Sequence, residues 1–303
     1  MLEYKEIALS DREWMEPLFK LSNHRSEEYS FTFSYIWRKV FGYTAARMED
    51  FLIIRGSKGD NPPRYLFPAG KGDISKVLET LAEEARQEGH GLVFNEILAE
   101  HKSFLEENYP GQYYIEPVEH YFDYIYDTQS LITLAGKKLH SKRNHINRFK
   151  ELYPDWSYEP ITADNLDEVL HMNDEWLKVN MEESSSKTLI EESKSVSAAI
   201  CDFLDLKLDG GLIRAGGRII AFSMGDRLNT DTYLVHIEKA FGDVQGAYTI
   251  INQEFSRHNC QSFTYINRED DSGDEGLRKA KKSYNPAFMV EKFNAKLLTG
   301  SKW

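Results

Sequence analysis

The chain has 303 residues, 41% hydrophobic and 13% aromatic, which is enough for two packed domains of about 150 residues each. A net charge of −12 argues against a protein that seeks polyanions over its whole surface, because nucleic-acid affinity comes chiefly from Lys and Arg contacts to phosphate. Cys201 and Cys260 are too few and too far apart for a disulfide framework or a Cys-rich zinc site, and no run of about 18 apolar residues could span a membrane. With no charged-then-apolar leader, the expectation is a cytoplasmic protein.

Residues 11–21 predict a helix, with Trp14, Leu18, Phe19 and Leu21 as an apolar stripe behind a Ser10 or Asp11 cap. Paired strands follow at 43–47 and 51–55, then a loop at Asp60-Asn-Pro-Pro63 and a short strand at 65–67 that Pro68 stops. Asp73 caps a helix reaching Gly89, in which Ile74, Val77, Leu78, Leu81 and Ala85 recur at helical spacing. A strand at 92–94, a helix at 100–108 and strands at 113–116 and 120–126 complete the first half. The second half opens with a long helix over 133–152 and another over 164–180. The run Glu182-Glu-Ser-Ser-Ser-Lys187 reads as a loop, followed by a helix over 189–204. An antiparallel series then occupies 211–215, 218–228 and 232–238, with Gly216-Gly217 as a two-residue hairpin turn. A helix over 247–258, a strand at 263–267, a basic helix at 277–282 and a strand at 288–297 follow. The class is mixed α/β (α+β), with mostly antiparallel sheets flanked by helices and domains at 1–130 and 131–303.

Residues 262–286 hold the most polar groups that packing alone leaves unexplained. A half-apolar strand ends on Asn267, an Asp- and Gly-rich turn follows, and the basic helix leads to Tyr284 just before Pro286. That order sets Asn267 and Tyr284 at one end of a sheet, where ligands of open α/β sheets sit. A phenol at a helix end can protonate a leaving group, and Asn267 can polarise a carbonyl. The plainer reading of Tyr284 is a packed ring with its hydroxyl tied to the backbone. His236 and Glu238 alternate on one strand and face the same side, so either could be a general base, or both could line an exposed polar face.

The second half has the element order of the GNAT acyltransferases: long hairpin strands, a loop feeding a helix N-terminus, a strand, a helix and a last strand. The loop candidates for donor binding are Lys239, Phe241, Gly242, Val244, Gln245, Gly246 and Ala247, since backbone N–H groups at a helix start hold phosphate. Gly246-Ala247 fits the end of the pattern Gln/Arg-x-x-Gly-x-Gly/Ala, but the leading residue is missing at the expected offset. A simple turn is the competing reading.

Residues 137–150 carry six Lys or Arg, two His and no acid, over an apolar stripe of Leu139, Ile146 and Phe149. On so acidic a chain this positive face suits a phosphate-bearing partner, or is a solvated helix face. Nine scattered His predict no metal-ligand cluster, and the acids at 270–275 lack calcium-loop spacing. No P-loop, nucleophile elbow or His-Glu-x-x-His motif is present.

The sequence resembles the DUF2156 family, which is similar to the C-terminal catalytic domain of phosphatidylglycerol lysyltransferase. The matching blocks are Trp37 in Phe31-Thr-Phe-Ser-Tyr-Ile-Trp37, Tyr65-Leu-Phe-Pro-Ala-Gly70, Tyr121-Phe-Asp-Tyr-Ile-Tyr126, Leu134-Ala-Gly-Lys-Lys-Leu-His-Ser-Lys-Arg-Asn-His-Ile-Asn-Arg-Phe149 and Gly276-Leu-Arg-Lys-Ala-Lys-Lys-Ser-Tyr-Asn-Pro286. The resemblance implies two tandem GNAT-like domains with the active site in the second. It implies an aminoacyl-tRNA donor and an anionic lipid acceptor, with Lys142, Arg143, Arg278, Lys281 and Lys282 near the phosphorylated substrates. The membrane-spanning half of the lysyltransferases is absent from this chain, so a peptide, antibiotic or small-amine acceptor and an acyl-CoA donor stand beside the lipid reaction.

The expectation is therefore an acyl- or aminoacyltransferase, with no tightly bound cofactor, no metal and acyl-CoA or aminoacyl-tRNA as donor. The alternative is a non-catalytic module of the same fold that binds tRNA or a nucleotide through helix 137–150; a purely structural partner protein is a third.

Overall fold

The computed structural model describes residues 1–183 and 187–298, so the loop expected at 182–187 falls largely outside the described residues. The fold is mixed α/β with two mostly antiparallel sheets flanked by helices, as the sequence leads one to expect. Two compact units form: 1–123 with 270–273 and 289–303, and 124–269 with 274–288. The division is thus not one cut near residue 130, because 270–273 and 289–303 return to the first unit.

In the first unit, Lys5–Glu6, Tyr43–Met48, Phe51–Gly56, Arg64–Tyr65, Val93–Leu98, Lys292–Leu297 and Tyr113–Pro117 lie side by side in that order. Helix Ile74–Gln87 starts where Asp73 accepts a hydrogen bond from the Ser75 N–H at 3.1 Å, and buries Val77, Leu78, Leu81 and Ala85 against Phe94, Ile97 and Phe293. The sequence reading assigned no element to Phe31–Phe41, which is a helix. Its β-favouring Phe-Thr-Phe-Ser-Tyr-Ile run hides it, while the Ser30 cap and left-handed Gly42 (φ 64°) fix its ends. A Cβ at Gly42 would meet the Ser57 carbonyl oxygen at 2.1 Å, so only glycine closes this helix.

The second sheet runs Phe288–Val290, Asp123–Asp127, Tyr265–Asn267, Thr232–Ala240, Arg218–Arg227, Asp209–Ala215, Ser157–Pro160. The Gly216-Gly217 hairpin forms as expected, with φ of 59° and 77°. The strand expected over 288–297 is two strands: Phe288–Val290 joins the second sheet and Lys292–Leu297 the first. The helix expected over 133–152 begins only at His140 and runs to Leu152, and a separate short helix, Thr128–Thr133, precedes it. Leu134 (φ 50°) and Gly136 (φ 85°) turn left-handed between them, and the Arg143 guanidinium donates to the carbonyls of both.

The strand Thr232–Ala240 is irregular along both of its edges. Met224 pairs with Ile237 and Gly225 with Val235, so His236 is the extra residue of a β-bulge. A Cβ on Gly225 would strike the Leu234 carbonyl oxygen at 2.3 Å, so this bulge requires glycine. On its other side the strand pairs in parallel with Tyr265–Asn267, but only through Thr232, Tyr233 and Leu234. Beyond that point the ladder between the two strands stops.

Candidate functional site

Where these two parallel strands part, side chains take over from the ladder. Arg268, one residue past Asn267, donates through Nη2 to Glu238 Oε1 at 2.7 Å. Glu269 reaches the Nδ1 of His236 at 3.1 Å. Asn252, from helix Ala247–Asn259, donates to the second Glu238 oxygen at 2.9 Å. Tyr284 lies buried beside them, its ring centroid 4.8 Å from the Arg268 guanidinium and 3.9 Å from the Lys142 Nζ. Tyr126 completes the wall with its ring edge-on to Tyr284 and its hydroxyl on the Lys281 carbonyl at 2.8 Å. Crevices beyond the carboxyl ends of parallel strands are where open sheets take ligands.

The polar accounting of this crevice does not close. Among the described residues, Arg268 Nη1 and Asn252 Oδ1 are buried without a hydrogen-bond partner. Leaving a buried guanidinium donor unmade costs about 1–3 kcal/mol, so the pair invites a ligand that accepts from one and donates to the other. The Asn252 orientation is fixed, because its amide nitrogen is the atom that meets the carboxylate.

Titration is arranged to match. Burial, helped by the nearby Arg268 charge and resisted by Glu238, pulls the Lys142 ammonium down to about 8. Burial pushes the Tyr284 phenol up to about 12, with Arg268 working against it and Glu238 with it, so the phenol keeps its proton at neutral pH. Burial also opposes a charged His236, but the carboxylates of Asp226 and Glu269 outweigh it and hold the imidazolium up to about 9. His236 donates from both nitrogens, to Asp226 at 3.1 Å and to Glu269 at 3.1 Å.

The residues singled out from the sequence fall into three groups. Tyr284, Glu238 and Lys142 meet in the crevice, and His236 lies one bond away through Glu269. Asn267 is fully buried and accepts the Glu269 N–H at 2.7 Å, so it shapes the turn behind the crevice. Lys281 is buried and donates to the Arg268 carbonyl at 2.6 Å, holding that backbone in place, while Arg143 braces the break between two helices. Arg278 is half-buried and Lys282 exposed on helix Glu275–Lys282, whose N-terminus Asp274 caps through the Leu277 N–H at 2.7 Å.

The donor-loop candidates are mostly occupied with structure. Lys239 is buried, ion-paired to Glu192 at 2.5 Å and laid over the Trp176 ring at 3.7 Å. Phe241 and Val244 are core residues. Gly246 (φ 89°) lets the loop approach the neighbouring helix, since a Cβ there would lie 2.7 Å from the His145 carbonyl oxygen. The Ala247 N–H is spent on the Val244 carbonyl at 3.1 Å and the Thr249 N–H on that of Gly246 at 3.0 Å. Gly242 and Gln245 remain exposed.

Sequence reasoning misses Arg268 and Asn252, although Arg268 directly follows Asn267. A further surprise is in the first unit, where no His cluster is expected. His101 Nδ1 accepts the Leu98 N–H at 3.2 Å, its Nε2 meets the Nε2 of His24 at 3.3 Å, and His24 Nδ1 meets Glu100 at 2.7 Å. Although these three could gather round an ion, His101 uses its Nδ1 lone pair on a backbone N–H, which leaves Nε2 as the protonated nitrogen. A metal-bound imidazole has the opposite arrangement, its second nitrogen donating. The trio fits a hydrogen-bonded chain.

A family model, phosphatidylglycerol lysyltransferase, C-terminal, matches residues 19–296. The chain is similar to a conserved Bacteroides thetaiotaomicron protein of unknown function, 38% identical with a TM-score of 0.93, covering 98% of this chain and 100% of that one. It also resembles the C-terminal DUF2156 domain of an Agrobacterium fabrum protein described as a putative lysylphosphatidylglycerol synthetase, at 14% identity and a TM-score of 0.69 over 96% and 92% of the two chains. An uncharacterized Mycoplasmoides gallisepticum protein is 24% identical over 188 residues, which is 58% of this chain and 56% of that protein's length. Among the described residues no helix is long and apolar enough to cross a membrane.

Proposed function

Because the chain belongs to the phosphatidylglycerol lysyltransferase C-terminal family, we propose that it is an aminoacyltransferase whose reaction takes place in the Arg268–Glu238–Tyr284 crevice. Family and fold together support an acyltransferase-like activity. The observation that carries the finer reading is the unspent pair at Glu238, a donor on Arg268 and an acceptor on Asn252. An aminoacyl ester offers the complement of both: a carbonyl oxygen for Arg268 Nη1 and an α-ammonium for Asn252 Oδ1, beside the Glu238 carboxylate. An acetyl group has no such donor.

The donor preference follows from the loop as well. A pyrophosphate-bearing donor such as acyl-CoA needs free N–H groups at the helix start, and those of Ala247 and Thr249 are bonded locally. Helix His140–Leu152 instead exposes His140, His145, Arg148 and Lys150, a cationic face suited to the phosphates of a tRNA. The acceptor in this reading is the hydroxyl of an anionic lipid, after the activity for which the family is named.

In the transfer step the acceptor oxygen attacks the ester carbonyl carbon. Charge gathering on the carbonyl oxygen is met by Arg268, in a setting where one such donor supplies about 2.7–4 kcal/mol. The bond to the terminal ribose oxygen then breaks, and that oxygen takes the Tyr284 proton. Glu238 spends its oxygens on Arg268 and Asn252 and so orients the pair. Thermal melts with lysyl-tRNA and, separately, with acetyl-CoA test the reading, since a ligand at a hundred times its dissociation constant adds about 2.7 kcal/mol. A rise with lysyl-tRNA alone is expected, with free tRNA released once phosphatidylglycerol vesicles are added. A rise with acetyl-CoA alone overturns the aminoacyl reading, and binding without release points to a non-catalytic module.

A further inference from the structure

The acceptor must lose a proton, and neither strand residue on Thr232–Ala240 is placed to take it. His236 is already an imidazolium, donating to two carboxylates. Glu238 is held by the Arg268 guanidinium at 2.7 Å and the Asn252 amide at 2.9 Å, so a proton on either oxygen would break one of these bonds. We propose that Lys142 is the general base of the transfer step: its neutral amine takes the acceptor's proton as the acceptor oxygen bonds to the donor carbonyl.

The geometry that points there is unusual for a lysine. Nζ is half-buried 3.9 Å above the Tyr284 ring, and among the described residues it has no carboxylate partner. Lysines in proteins ordinarily keep the ammonium in water or pair it with an acid. The charged groups facing Lys142 are Arg268, which follows strand Tyr265–Asn267, and Glu238 on the neighbouring strand, with the Tyr284 phenol beneath. Burial and the Arg268 charge favour the neutral amine, and its position near 8 suits a base at physiological pH. Lys142 sits on the exposed basic helix, so the side chain that takes the proton belongs to the element that would meet the donor's phosphates. Proton flow then closes without a cofactor: the acceptor's proton passes to Lys142, that of Tyr284 to the leaving ribose oxygen, and both side chains re-equilibrate with water between turnovers.

This assignment rests on the aminoacyltransferase reading, and the experiment separates the two. Release of free tRNA from lysyl-tRNA, with phosphatidylglycerol vesicles as acceptor, is followed for the full chain and for Lys142→Arg and Lys142→Ala. The wild-type rate should climb with pH and level off above about 8. Lys142→Arg keeps a cation but not a titratable base. It should bind lysyl-tRNA within about threefold of wild type, yet turn over about a hundredfold or more slowly and lack the pH limb. Lys142→Ala should regain rate with a tertiary amine, which can take a proton but forms no stable amide. If wild type turns over and Lys142→Arg matches it, or if Lys142→Arg loses binding while keeping its rate when saturated, Lys142 is a phosphate ligand and the proposal falls alone. If wild type shows no release with any donor, the proposal and the reading beneath it fall together. Competitive acetylation with acetic anhydride adds a check that needs no turnover: Lys142 should titrate well below the ordinary lysine value of about 10.4, and titration at that value contradicts the proposal.

Discussion

Lys292 in the first unit and Arg268 in the second are both cations taken out of water, and they are finished differently. Lys292 is fully buried with Nζ 2.5 Å from Asp123, 2.5 Å from Glu28 and 3.1 Å from Glu27. Burial presses its pKa down, but the carboxylates of Asp123, Glu27, Glu28 and Glu96 outweigh it and hold the ammonium charged well above its ordinary range. Among the described residues Arg268 meets one carboxylate and keeps a buried N–H without a hydrogen-bond partner. A cation surrounded by acids is part of the scaffold. One that is under-supplied is a place for something else to bind.

The largest test of that contrast is Lys292→Met. Three carboxylates would stay buried without their counter-charge, at a cost of about 3–5 kcal/mol. Urea melts at pH 7 should show it, and the deficit should shrink toward pH 4 as the acids take up protons. A loss under 1 kcal/mol would mean that Lys292 is not the counter-charge its distances make it. For Arg268→Lys the order reverses: release of free tRNA should drop about 10²–10³-fold while the unfolding free energy from urea melts stays within about 1 kcal/mol of wild type. A stability loss as large as that of Lys292→Met would dissolve the distinction.

A third comparison uses His236, whose folded pKa of about 9 lies above the unfolded value of about 6.5. Its stabilisation is complete below pH 6.5, fades as pH rises through 9, and amounts to about 3 kcal/mol. Melting temperatures taken from pH 6 to 9.5 should fall along that window, and His236→Gln should flatten the slope. A modest stability effect is expected from Tyr284→Phe, about 1 kcal/mol for the hydroxyl bonded to Thr249, with transfer slowed about a hundredfold. Unchanged transfer would remove Tyr284 from the reaction.

What could be read from the chain was what neighbours in sequence decide. Asp73 caps its helix as its position suggests, Gly216-Gly217 makes its hairpin, and the fold class follows from the order of elements. Glu238 was visible because it is a polar residue on a largely apolar strand, and Tyr284 because it ends the basic helix just before Pro286. Arg268 was not, since its meaning comes from Glu238 thirty residues earlier and from a ladder that stops after Leu234. Asn252 looked like an ordinary helix residue until its helix was laid under the strand. Lys142 stood out as a cation for phosphate and not as a base, because sequence counts charges and does not show which one is desolvated. The break at Glu291 is hidden because both flanking stretches carry the same strand signal, and sheet membership is a long-range choice.

That break has a consequence for how the protein is made. Strand Lys292–Leu297 lies between Val93–Leu98 and Tyr113–Pro117, pairing with both. When residues 1–130 have left the ribosome, the outermost strand Tyr113–Pro117 therefore has no neighbour to pair with, and Glu27, Glu28 and Asp123 have no ammonium to meet. Roughly 160 further residues must emerge before the missing strand arrives with its lysine. During that interval two unpaired strand edges face water or a chaperone. The first unit is thus begun before the second and completed after it, and a fragment ending near residue 123 should be prone to aggregate.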